Sequence, residues 1–122
     1  MSNLPQSADA TLLIHNPRCS KSRQTLELLE ERGIDFEVRK YLDEPLTREE
    51  LGALQKRLAR PVAEWVRAGE SCYGEAGLGV DSSDDELLDA IAKHPKLLQR
   101  PIVVRGDRAE IGRPPEQVLE LF

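Results

Sequence analysis

Residues 11–39 read TLLIHNPRCSKSRQTLELLEERGIDFEVR, and the changes of period along them decide the fold. Thr11-Leu12-Leu13-Ile14 is a short apolar run of the kind that forms a buried strand. From Ser20 to Arg32 the spacing becomes helical, with Leu26 and Leu29 on one face, and Gly33 supplies a left-handed stop. Ile34, Phe36 and Val38 then alternate with Asp35, Glu37 and Arg39, the pattern of a strand with one face buried. Strand, helix and strand at this spacing make a crossover unit, which sets the two strands parallel.

The turn inside that unit carries the chemistry. His15-Asn16-Pro17-Arg18-Cys19-Ser20-Lys21-Ser22-Arg23 places a cysteine at a helix N-terminus with cationic residues on both sides. The helix dipole contributes about half a positive charge there, and Arg18, Lys21 and Arg23 add to it. Cys19 is therefore expected to be an exposed, nucleophilic thiolate with a pKa below the ordinary ~8.5. Ser22 stands where dithiol oxidoreductases carry their second cysteine. A serine can donate a hydrogen bond to a thiolate but cannot resolve a mixed disulfide. Turnover then needs an external thiol or a cysteine from elsewhere in the chain. The other use of Ser22 is to support the first helical turn. A phosphatase-type loop, with arginine six positions after the cysteine, is excluded because Thr25 occupies that place.

Beyond the crossover the chain turns helical and then extended. Thr47-Arg48-Glu49-Glu50 is a capping box followed by Leu51, Leu54 and Leu58, and Pro61 can open a helix carrying Val62, Trp65 and Val66. Residues 70–81 contain three glycines and read as a loop. Ser83 and Glu86 form a second capping box ahead of Leu87, Leu88 and Ile91, and His94-Pro95 ends that helix. Ile102-Val103-Val104, the turn Gly106-Asp107 and Ala109-Glu110-Ile111 read as a hairpin, followed by a last helix with Val118 and Leu119. The order β-α-β, helices, β-β-α is that of a thioredoxin-like α/β fold with three layers. Its sheet is mixed and four-stranded, and the helical segment is inserted between the two halves. In that plan Arg100-Pro101 lies beside Cys19, Pro101 is a candidate cis proline, and Arg113 opens the loop after the hairpin on the same side. Always-charged, planar guanidinium groups there suit an oxyanion.

Bulk properties bound the rest. The 122 residues suffice for one domain, expected over residues 11–122, with residues 1–10 a disordered leader. The net charge of −5 speaks against nucleic-acid binding, and no apolar stretch approaches the ~20 residues of a membrane span. The N-terminal residues lack the basic and apolar regions of a signal peptide, which points to the cytoplasm. Two cysteines, Cys19 and Cys72, do not make a disulfide framework, and no Cys/His cluster has metal-site spacing, so no bound cofactor or metal is expected.

The sequence resembles the ArsC family of glutaredoxin-coupled arsenate reductases from about Leu12 to Leu121. The resemblance rests on residues 15–23, Tyr41-Leu42 with Pro45-Leu46-Thr47, His94-Pro95, Arg100-Pro101-Ile102-Val103-Val104 and Arg113-Pro114. It implies a thioredoxin-like fold with Cys19 as the nucleophile and Arg67, Arg100 and Arg113 as anion-binding groups. It also implies that His15 organises the turn and supports the thiolate, alongside Ser22; a purely structural imidazole is the alternative. By the same resemblance Cys19 attacks arsenate, glutathione is the co-substrate, glutaredoxin reduces the resulting Cys19–glutathione disulfide, and the chain acts as a monomer. Two other functions fit the same residues. One is a glutathione-dependent thiol reductase that does not act on arsenate. The other is a redox-sensing regulator that binds RNA polymerase, against which Ser22 counts because such regulators use paired cysteines. Cys72, in the glycine-rich segment, reads as incidental rather than resolving.

Overall fold

The computed structural model describes residues 4–5 and 7–122. β1 (Thr11–His15) leads into α1 (Ser20–Glu31), which returns through residues 32–36 to β2 (Glu37–Lys40). The end of α1 follows from Gly33: at φ +66° it turns the chain so that Gly33 N donates to Glu30 O and Ile34 N to Leu29 O. Then come α2 (Arg48–Leu58), a 3-10 turn (Val62–Trp65), the short α3 (Ser71–Glu75) and α4 (Asp84–Lys93). A 3-10 turn at Pro95–Leu97 precedes β3 (Ile102–Arg105) and β4 (Arg108–Ile111), and a 3-10 helix (Pro115–Leu121) closes the chain. Both capping boxes form, with Thr47 and Ser83 accepting from the N–H groups of Glu50 and Glu86.

The sheet order is β2-β1-β3-β4, with β1 parallel to β2 and antiparallel to β3, and β3 antiparallel to β4. Side-chain alternation puts Leu12, Ile14, Ile102 and Val104 on the face covered by α2 and α4, in the larger core cluster. Leu13 and Val103 point to the other face, where Leu29 of α1 and Val118 and Leu121 of the C-terminal helix meet them. Both central strands are thus buried on both faces, which is why they read as continuous apolar runs. This is the expected thioredoxin-like, three-layer arrangement around a mixed four-stranded sheet.

Several local expectations change. β2 starts only at Glu37, and Val38 is 43% exposed; Ile34 and Phe36 pack against the smaller cluster ahead of the strand. Val66 leaves the turn after Pro61 to bridge Leu98, so helix gives way there to extended pairing. α3 forms inside the segment read as a loop, and the last helix is 3-10 in type. Of the leader expected over residues 1–10, residues 1–3 and 6 lie outside the described residues. Leu4 is 2% exposed in the larger core, and Arg57 donates to Pro5 O at 3.1 Å and to Gly106 O at 2.9 Å. One apolar side chain and one clasping guanidinium dock a segment whose polar composition suggests disorder.

Because Leu13 fills the thinner layer completely, Leu13→Ala is expected to cost about 2–5 kcal/mol of stability in urea unfolding. Val38→Ala, on the exposed edge, should stay within about 0.5 kcal/mol.

Candidate active site

β1 delivers the chain to a turn that is hydrogen-bonded from within. Cys19 N donates to Asn16 O at 3.0 Å, and Arg18 N donates to the Asn16 side-chain oxygen at 3.0 Å. Arg23 Nη1 donates to Pro17 O at 2.9 Å, closing the outside of the loop. The inside is closed by Ser22, whose Oγ accepts from Asn16 N at 3.0 Å and lies 2.6 Å from His15 Nδ1. Ser22 is fully buried and His15 nearly so. Burial, then the charges of Lys40 and Arg23, hold the His15 pKa below its ordinary value, so the ring is neutral at pH 7.

Cys19 occupies the N-cap of α1 with an extended backbone. It is 8% exposed, not the open thiol expected. That burial is the largest single influence on the sulfur and pushes its pKa up. The N–H of Ser22, the Arg100 guanidinium and the N–H of Lys21 outweigh it, and the thiol pKa ends below its ordinary value. These N–H groups act on the sulfur as oriented dipoles, without closing a cap hydrogen bond of good geometry.

The three arginines expected to bind an anion are not equivalent. Arg113 Nη2 lies 3.6 Å from Cys19 Sγ, while its Nε donates to Arg100 O at 2.8 Å. Arg100 charges the same sulfur, and its Nε and Nη1 are buried with no hydrogen-bond partner among the described residues. Both arginines precede cis prolines, Pro101 as expected and Pro114 in addition. Gly112 lets these segments close up. A Cβ there would lie 2.7 Å from Pro101 Cγ and 2.7 Å from Thr25 Oγ1, closer than real contacts allow. Arg67 is placed differently. The pairing of residues 65–67 with 97–99 (Arg67 N to Leu97 O, Gln99 N to Trp65 O) sets it opposite Leu97, and its Nη1 is held by Glu70 at 2.8 Å. Its charge acts on Tyr41.

The thiolate-supporting roles expected of His15 and Ser22 are therefore indirect. The Ser22 hydroxyl is engaged by His15 and Asn16, and it is the Ser22 backbone N–H that serves the sulfur. Tyr41, which follows β2, is a site residue that pattern alone did not single out. It is 1% exposed, packs in the larger core cluster, and lies within electrostatic reach of Arg100, Arg67 and Cys19. The signal available was its place one residue beyond a parallel strand pair. Cys72 lies in α3 against the larger core. Among the described residues no cluster of His, Cys, Asp or Glu could hold a metal ion, and no helix is long and apolar enough to cross a membrane.

A reactive cysteine at a helix N-terminus beside a cis proline is common ground for many thioredoxin-like proteins. The sequence pattern of the ArsC family, however, matches residues 14–121, which includes the cysteine turn and the Arg100 and Arg113 segments. The chain belongs to the ArsC family. Its ArsC relatives include a Haemophilus influenzae protein named arsenate reductase, 43% identical over 93% of this chain and 99% of the relative. The Escherichia coli K12 protein YfgD, described as uncharacterized, is 49% identical over 89% of this chain and 93% of its own length. Among solved ArsC structures, one titled arsenate reductase from Vibrio cholerae superposes with a TM-score of 0.88. It is 47% identical and covers 95% of this chain and 100% of the other.

The charge on Arg100 is expected to set the reactivity of Cys19. A lowered pKa means that thiolate is already present below the ordinary ~8.5, so iodoacetamide alkylation against pH should show its midpoint on the acid side of that value. Arg100→Met should move the midpoint upward and slow alkylation at pH 7 several-fold, whereas Arg67→Met should leave it in place. An ordinary midpoint in the wild type contradicts this account of the sulfur.

Proposed function

We propose that the chain is an arsenate reductase that works through a single thiolate, with glutathione and glutaredoxin as its outside reductants. The observation that carries this reading is the pairing of the Cys19 sulfur with arginine donors, among them the buried Nε and Nη1 of Arg100. Arg113 Nη2 sits 3.6 Å from Cys19 Sγ, and Arg100 holds Nε and Nη1 without protein partners beside it. A doubly charged tetrahedral oxyanion offers those donors the acceptors they lack. The same guanidinium groups balance the negative charge that gathers as an anionic sulfur meets an anionic substrate. The names carried by the relatives above support the same substrate.

In this reading Cys19 S⁻ attacks arsenic, an oxygen leaves with protons as water, and a thiolate–As(V) ester forms. The sulfur of glutathione then attacks Cys19 Sγ. The S–As electron pair passes to arsenic, which leaves as arsenite, and the two sulfurs become a Cys19–glutathione disulfide. Two thiols are oxidised while arsenic gains two electrons. Glutaredoxin reduces the mixed disulfide. Ser22, fully buried and bonded to His15 and Asn16, supports the need for an outside thiol. Such a cycle suits a reducing compartment such as the cytoplasm. The same monothiol position argues against a paired-cysteine sensor of RNA polymerase type.

The reading is tested by arsenate reduction with glutathione and glutaredoxin present. Wild type should turn over and Cys19→Ser should not. Arg100→Met and Arg113→Met should each lower kcat/KM by about 100-fold, as expected when a donor to a developing charge is removed. If the wild type is inert toward arsenate yet removes glutathione from protein thiols through Cys19, the protein is instead a glutathione-dependent thiol reductase.

A further inference from the structure

The cations around Cys19 are used differently from many others in the chain. Arg39, Arg48, Arg60 and Arg67 each close on a carboxylate. Among the described residues Arg18, Lys21, Arg23 and Lys40 have no ion pair, and all but Lys21 are exposed. The placement of acids explains the difference. The chain has 22 acidic residues and a net charge of −5, yet residues 10–26 hold no Asp or Glu. Residues 90–106, which bring Arg100 to the same edge of the sheet, hold none either.

Geometry gathers these charges on one rim. Arg23 Nη1 donates to Pro17 O at 2.9 Å, which lays its guanidinium along the turn that presents Cys19, next to Arg18. The parallel register sets Lys40 opposite His15, the last residue before that turn. Burial first, then the charges of Lys40 and Arg23, lowers the His15 pKa, so both cations lie close to that ring. Arg113, with Nη2 at 3.6 Å from Cys19 Sγ, adds an exposed cation at the sulfur itself. The acids nearest along the chain, Glu27 after Arg23 and Asp43 and Glu44 after Lys40, form no ion pair with them. Like charges gathered in this way repel one another, a cost that an acidic partner offsets.

We infer that this rim docks an acidic face of the protein that reduces the Cys19–glutathione disulfide. The inference rests on the monothiol cycle above, and it holds whether or not arsenate is the substrate. Glutathione alone fits the rim poorly, because beside its carboxylates it carries an ammonium group that the rim repels. A protein surface can present several carboxylates with no cation among them. In the docked pair the reductant's thiolate attacks the glutathione sulfur, the S–S bond to Cys19 breaks, and its electron pair leaves on Cys19 as thiolate. Glutathione is then bound to the reductant's sulfur, and a second glutathione removes it as the glutathione disulfide. Opposite charges on the two faces raise the rate of encounter, and salt screens that gain.

The test reads reduction of the adduct, without arsenate. In a Cys72→Ser background the Cys19–glutathione adduct is formed with oxidised glutathione. Its reduction is timed with a glutaredoxin of net negative charge plus glutathione, and separately with uncharged dithiothreitol. From about 10 mM to about 150 mM salt the Debye length falls from roughly 30 Å to roughly 8 Å. Over that range the glutaredoxin rate should fall about tenfold while the dithiothreitol rate holds. Arg18→Glu with Lys40→Glu should lower the ratio of the two rates about tenfold at low salt. Arg32→Glu with Lys56→Glu, the same charge change at the end of α1 and in the last turn of α2, should leave that ratio in place. A salt-independent glutaredoxin rate, or an equal fall in both double variants, overturns the docking face and leaves the monothiol cycle standing. So does an equal slowing of adduct formation by Arg18→Glu with Lys40→Glu, which assigns the rim to the carboxylates of glutathione. If glutaredoxin fails to reduce the wild-type adduct at any salt, the monothiol cycle falls and the docking face with it.

Discussion

A cysteine sulfur at 8% exposure has lost most of the water that would stabilise its anion, and for the thiolate to form something in the protein must replace that water. Here the replacement comes from three separate stretches of chain: the first N–H groups of α1, the guanidinium before β3, and the guanidinium after β4. None of them suffices alone against the cost of burial. The fold is what allows them to meet. β1 and β3 are neighbours, so the residues at the end of one and the start of the other share one edge of the sheet. The hairpin returns the chain to that edge a third time.

Such convergence needs a rigid frame. The two central strands are sealed by side chains on both faces, so their ends have little freedom to drift. Close approach at the edge then depends on Gly112, whose missing side chain admits both Pro101 and Thr25. On the other flank the Arg39–Glu50 pair ties the segment after β2 to the start of α2, and Glu50 also caps that helix. One buried carboxylate therefore serves a helix terminus, an ion pair and the loop beside the site at once.

Much of this was legible in sequence because it depends on neighbours along the chain. Periodicity in residues 11–39 specifies the crossover unit, the two capping boxes specify α2 and α4, and β-branched residues specify β3. Cys19, Arg100 and Arg113 were legible for the same reason, each lying at an element boundary. What escaped depends on contacts between distant segments. Whether Arg67 is free for an anion depends on Glu70, and whether Ser22 faces the sulfur depends on how His15 and Asn16 turn. Whether the first residues dock depends on Arg57, far along the chain. The degree of burial of Cys19 escaped as well, since it depends on segments that reach the sulfur from far along the chain, Arg113 among them. Tyr41 was visible as a residue of the resemblance, but its burial in the larger core depends on contacts with distant segments.

The position of the Ser22 side chain bears on how such a protein could change. A cysteine at that place would supply the spacing of a dithiol enzyme by a single codon change. It would also remove the hydroxyl that joins the His15 ring to the Asn16 N–H, and a thiol is a poor substitute for either bond. The gain of a second sulfur is thus coupled to damage in the turn that presents the first. Passage between one-sulfur and two-sulfur chemistry on this scaffold is therefore a concerted change in several residues, and the evolutionary route between them has a barrier built from two hydrogen bonds.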